Sequence, residues 1–151
     1  MRKQLAILGT SVLLLTISCS GCDQLINKPN RITVNIMAAV YVNAVDAAYR
    51  NVSVSVDGIT VTIFMTRNGG NRLAFDRIVQ NGLCQATGVQ VFSEGETIEV
   101  TAIVQGNYSG YHPVAPGTAR LEWETASASV NIGGMYDWYP HIFIKMQKES
   151  L

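Results

Sequence analysis

Hydrophobicity in this chain repeats every second residue. From Arg31 to Val42 each even position is apolar: Ile32, Val34, Ile36, Ala38, Val40 and Val42. The odd positions between them mix Thr33, Asn35, Met37, Ala39 and Tyr41. A period of two returns side chains to one face of a strand, whereas a helix needs a period near 3.6. The stretch therefore reads as a strand, with a bend near Ala38-Ala39. Asn43 to Arg50 loses the alternation and reads as loop.

The same pattern recurs downstream. Val52, Val54 and Val56 alternate with serines, Asp57-Gly58 follows, and Ile59, Val61, Ile63 and Met65 alternate again. Asp-Gly between alternating runs favours a two-residue hairpin, which would pair Val56 with Ile59 and Val54 with Val61. A single long strand with a bulge at Asp57-Gly58 gives the same parity. Arg67 to Arg72 is a turn cluster, Leu73 and Phe75 open a strand running to about Gln80, and Asn81-Gly82 turns it. Val89, Val91 and Phe92 mark another strand. Thr97 to Gln105 follows, with Ile98, Val100, Ala102 and Val104 on one face. Gly106 to Thr118 reads as a long loop. Leu121 and Trp123 share a strand face, and the apolar parity then shifts to Ala126, Ala128, Val130 and Ile132, which predicts a bulge or break near Thr125. Gly133-Gly134 opens an aromatic loop through Pro140, and Ile142, Ile144 and Met146 form a last strand.

Seven or eight short strands without a long helix predict an all-β sandwich and argue against βαβ architectures. The stretch from Asn81-Gly82-Leu83-Cys84 through Gly95-Glu96-Thr97-Ile98-Glu99-Val100-Thr101-Ala102 resembles bacterial immunoglobulin-like and carboxypeptidase-regulatory-like modules. That resemblance implies an immunoglobulin-like β-sandwich. The antibody pattern of paired cysteines around a tryptophan is missing.

The N-terminus carries an address. Arg2-Lys3 precedes a mainly apolar run from Leu5 to Ile17, and small residues with two cysteines follow, Ser18-Cys19-Ser20-Gly21-Cys22. Positive, apolar, then small is the order of a secretory signal. The run of 13 residues is short of the roughly 20 that a spanning helix needs. Its end resembles the lipobox of bacterial lipoprotein signals, in which a cysteine receives a diacylglycerol and becomes the first residue after cleavage. Cys19 is the expected lipidation site, with Cys22 as the alternative. The expected organisation is a signal peptide over 1–18, a lipidated tether over 19–30 and a β-sandwich over 31–148. The resemblance implies attachment to the cell membrane or outer membrane, on the extracytoplasmic side. One acyl chain binds a bilayer only marginally, so stable anchoring takes the two or three chains that the family carries.

Charge excludes more than it assigns. Without Arg2 and Lys3, nine basic and eleven acidic side chains remain. No basic patch stands out, so nucleic acid is not an expected partner. Cys84 reads as a buried small apolar residue, since free cysteine is among the most buried types, and Asn81 to Ala86 around it supply no basic neighbour.

Catalytic signatures are not found, and the expectation is a non-enzyme without cofactor or metal. His112 and His141 lack a metal-ligand spacing. No Gly-x-Ser-x-Gly occurs. Glu122 and Glu124 flank Trp123 on one expected strand face, side by side, which is a poor arrangement for two carboxyls that must flank a glycosidic bond. The aromatics carry the binding hypothesis. Tyr108 and Tyr111 fall in one expected loop, and Tyr136, Trp138 and Tyr139 in another. Sandwich loops cluster at the two ends of the fold. If both loops share an end, five rings form a platform for a glycan or a protein partner; otherwise they cover the core. The function expected is a non-catalytic binding or structural module of the cell envelope, or alternatively a carbohydrate- or solute-binding lipoprotein.

Overall fold

The computed structural model describes residues 30–68, 70–130 and 134–150. The expected signal segment, the expected tether up to residue 29, and both Cys19 and Cys22 lie outside the described residues. In chain order the elements are β1 (Arg31–Val45), β2 (Asn51–Ser55), β3 (Thr60–Arg67), β4 (Arg72–Ile78), β5 (Leu83–Ser93), β6 (Thr97–Gln105), β7 (Tyr111–Pro113), β8 (Gly117–Glu122), a short helix α1 (Trp123–Ser127), β9 (Met135–Trp138) and β10 (His141–Lys148).

β1 is the axis of the first sheet. Its alternation persists to Ala44, so the strand runs three residues beyond the expected end at Val42. That length lets it serve two partners on each side. Along one side it pairs antiparallel with β5, from Arg31↔Ser93 to Tyr41↔Leu83, and then with β2. Along the other it pairs parallel with β9, from Thr33↔Met135 to Ile36↔Trp138, and then with β10, from Ala39↔His141 to Val45↔Gln147. β7 closes the far side of β10. The second sheet is antiparallel in the order β4-β3-β6-β8. The two sheets pack as an all-β sandwich. Even positions of β1 meet Val61, Ile63 and Met65 of β3 and Ile98, Val100 and Ala102 of β6 in one core cluster. Each fully buried Val or Ile there contributes about 1.5–3 kcal/mol. Phe92 and Trp123 meet edge-to-face across this core, 5.3 Å between centroids, a favoured aromatic geometry.

Several local expectations are corrected. Asp57-Gly58 is neither a hairpin nor a bulge inside one strand. β2 pairs with β1 in the first sheet and β3 with β4 and β6 in the second, so this dipeptide is a corner where the chain changes sheets. Only Gly58 takes a positive φ there, and a type I′ turn needs two such residues. The corner is held by Gly58 N–H to Val79 O (2.9 Å) and by the Asp57 carboxylate, which accepts Ser55 Oγ (2.9 Å) and Gly82 N–H (3.2 Å). Tight turns of two positive-φ residues occur instead at Asn81-Gly82 and Ser109-Gly110. Reciprocal backbone bonds close them, Gln80 with Leu83 and Tyr108 with Tyr111.

The parity shift after Trp123 is a break rather than a bulge: the strand ends at Glu122 and α1 follows. Trp123, Ala126 and Ser127 are its buried residues, and spacings of three and four are those of one helical face. Glu122 ends β8 while Glu124 sits in α1, so the two carboxylates do not share a strand face. β7 and β9 fall in stretches expected to be loop. The described residues thus hold ten strands rather than seven or eight.

Candidate functional site

The sandwich separates the aromatic residues of the two expected loops. β9 pairs with the start of β1, Tyr136 opposite Val34, whereas β7 reaches β1 through β10, with His112 opposite Gln147 and Gln147 opposite Val45. Eleven residues of β1 separate the two levels, which is about 36 Å of strand. The five-ring platform is therefore not assembled. Tyr111 is 9 % exposed and belongs to the core, and Tyr108, Tyr136 and Trp138 are half-buried against it. The inward direction of Tyr136 and Trp138 follows from β9 being a strand, because their partners Val34 and Ile36 also face inward. Of the five, Tyr139 alone is well exposed, at 58 %.

Tyr139 stands at a groove on the outer face of the first sheet that local sequence reading missed. The groove has a volume of about 310 Å³ and is lined by Met37, Ala38, Ala39, Tyr41, Gln85, Ala86, Thr87, Tyr139 and His141. Register explains its shape. Odd positions of β1 face outward here, and Ala39 lies between Met37 and Tyr41 along the strand. Across the sheet it lies between Gln85 of β5 and His141 of β10. One short side chain ringed by long ones leaves a depression. Tyr139 is set beside it because Pro140 O accepts the Ala39 N–H (3.0 Å), which brings the chain between β9 and β10 against β1.

The wall is aromatic. Tyr41 stacks on Phe143 with centroids 5.0 Å apart and planes 15° from parallel, and tilts against His141 at 5.7 Å. Phe143 is 63 % exposed, while Ile142 and Ile144 on either side of it are buried. Val89, Val91 and Met135 continue the apolar exposure along the same face. None of the residues lining the groove carries a carboxylate, ammonium or guanidinium group, and its polar groups are the Gln85 amide, hydroxyls and the His141 imidazole. The site is thus suited to a neutral ligand with a flat apolar face and hydroxyl or amide edges. The one sequence signal that could have located it is the apolar content of outward positions in β1 and β10, since an antiparallel-type solvated face normally alternates to polar residues.

His141 and His112 do not meet. They lie opposite Ala39 and Gln147 respectively, six residues apart along β10, or about 20 Å. Cys84 is 6 % exposed on the inner face of β5. Burial pushes its thiol above the usual range, and the Arg77 guanidinium opposes that only in part. This is the reverse of what a nucleophilic thiolate requires. Arg77 is a basic neighbour that the local sequence of Cys84 did not reveal. No helix among the described residues is long and apolar enough to cross a membrane. Comparisons with protein-family models, with curated proteins and with solved structures return no match for this chain.

Proposed function

We propose that this protein is a lipid-anchored, extracytoplasmic binding module without catalytic activity, and that it binds through the outer face of its first sheet. The observation that carries the reading is the uncovered apolar and aromatic strip around Tyr41, Tyr139 and Phe143. Isolated exposed apolar residues need no explanation, but a contiguous patch with a concave centre marks a binding surface. The order of charged, apolar and small residues at the N-terminus supports export and anchoring, with Cys19 as the lipidated residue and Cys22 as the alternative. The module would stand outside the cell on the cell membrane or outer membrane.

A carbohydrate is the ligand class that the groove favours. Aromatic walls stack on the apolar face of a sugar ring, while Gln85 and Thr87 offer hydrogen bonds to hydroxyls. The aromatic loops first considered for this role contribute Tyr139 alone. A glycan array probed with the full-length protein tests the reading. Binding that falls at least about tenfold in Tyr139→Ala and Tyr41→Ala supports it. An empty array, or binding indifferent to both changes, refutes the carbohydrate assignment. The anchor is tested separately by labelling cells with a palmitate analogue. Label lost in Cys19→Ala or in Cys22→Ala supports lipidation, and label absent from the parent chain ends that part of the proposal.

A further inference from the structure

The geometry points to a second binding site, adjacent to the groove and sharing Thr87 with it: the open edge of β5 between Arg67 and Arg77, which we propose receives an extended peptide of a partner protein as an added strand. Backbone bonding establishes which groups are available. Val42 N–H bonds to Gly82 O (2.8 Å) and Tyr41 pairs with Leu83. In an antiparallel ladder this assigns the even residues of β5 to β1 and turns the odd ones away from it. Four odd residues have partners on that side. Leu83 bonds with Gln80, Gln85 O accepts Arg77 Nε (3.1 Å), Val91 O accepts Arg67 Nη1 (2.8 Å), and Ser93 N–H donates to Glu96 (2.8 Å). Thr87 and Val89 lie between the two arginines, and their outward N–H and C=O groups have no partner among the described residues. A second strand is the chemical entity that matches alternating donors and acceptors at this spacing.

The second sheet defines the floor of this slot. β4 is its edge strand, and Leu73, Phe75 and Arg77 face inward from it, opposite Met65, Ile63 and Val61. Gly88 lies over Leu73 and Phe75, with its missing Cβ position 3.2 Å from Leu73 Cδ1 and 3.6 Å from Phe75 Cε2. Beyond Gly88 the first sheet has no further strand among the described residues, and both side chains remain half-buried. An added strand would set an apolar side chain over them, opposite Gly88. Arg77 donates to the carbonyls of Gln85 and Asp76, lies over one side of the Phe75 ring at 5.3 Å from its centroid, and makes no ion pair among the described residues. It supplies the charge complement for an acidic side chain two residues from that apolar one. The occupant is thus an extended segment of the form apolar-x-acidic.

A library of random heptapeptides selected on the full-length protein in detergent tests this. Enrichment of an apolar residue two positions from Asp or Glu is expected. A selected peptide should bind Arg77→Glu at least about tenfold more weakly. Val89→Pro should have a similar effect, because it removes an outward N–H while leaving the pairing with β1 intact. Thermal melts check that both variants fold, and Arg77→Glu remains informative if Val89→Pro does not. No enrichment overturns the proposal. So do selected peptides that bind both variants normally, or that lose affinity only in Phe143→Ala.

Discussion

The two outer faces of this sandwich are built by the same alternation but differ in chemistry. On the second sheet the outward row is mainly polar and tied together, although Ile78 is 62 % exposed there and Ile103 also faces outward. Thr62 Oγ1 donates to Asp76 (2.7 Å) and accepts from Gln105 (3.1 Å), Thr101 bonds to Glu99, and Arg120 pairs with Glu122. Its aromatic residue, Phe64, is covered by the Arg72 guanidinium 3.6 Å from the ring centroid. On the first sheet, Phe143 and Tyr139 stand open to solvent, and Tyr41 packs against the Phe143 and His141 rings. A sandwich needs one apolar face per sheet to form its core. The second sheet adds only scattered apolar residues to its outer face, Ile78 and Ile103 among them. The first sheet carries a contiguous apolar and aromatic strip outside the core. On the function proposed above, that strip is the binding surface.

The comparison can be tested by adjacent substitutions. The largest effect is expected at Ile142→Ala, which empties a core position and should cost about 2–5 kcal/mol in urea unfolding. Phe143→Ala, one residue on, should cost less than about 1 kcal/mol, because its side chain is mostly in water already. Equal losses at the two positions would mean that the outer face is structural after all. Next in size, Phe143→Asp should cut the binding of a hydrophobic dye to the native protein several-fold, with the melting temperature nearly unchanged.

Two smaller effects concern the second sheet. Arg72→Ala should uncover Phe64, lower stability by about 0.5–1 kcal/mol and raise dye binding, making this face resemble the first. Thr62→Val should remove two links of the polar row at about 0.5–1.5 kcal/mol, read as a shift of the urea midpoint. The smallest effect lies at the rim of the first sheet. Asp46 is held below the usual carboxylate range, first by the Arg50 backbone N–H and then by the Arg50 side chain and the Ala48 N–H. A lowered pKa gives stabilisation that is complete above the ordinary carboxylate range and is lost as pH falls through the lowered value. The Ala48 and Arg50 amides should therefore lose protection, measured against their intrinsic exchange rates, at pH values below about 4, and Asp46→Asn should abolish that dependence.

Legibility followed the range of the forces involved. β1, β3, β6 and β10 were readable because a half-buried strand must alternate whatever it pairs with. Asp57-Gly58 was misread because a hairpin and a sheet-changing corner impose the same parity on their flanks. The choice between them rests on β1 running long enough to need β2 as a partner. Trp123 to Ser127 reads as a bulged or broken strand because its five residues hold little more than one helical period. Tyr136 and Trp138 were assigned to a loop because β9 has only four residues and gains its place from β1, a hundred positions away.

From its residues alone, this chain was bound to form strands with one apolar side and to pack them as layers, since alternation is local and burial of that side is obligatory. The sequence order at the N-terminus likewise sufficed to propose export and an anchor. Which rings meet was decided in three dimensions. Tyr41, Tyr139, His141 and Phe143 come from strands far apart in the chain, and parallel pairing of β1 with β10 sets them side by side. Register between distant strands is fixed by how well the whole core packs, and no short stretch of sequence carries that information.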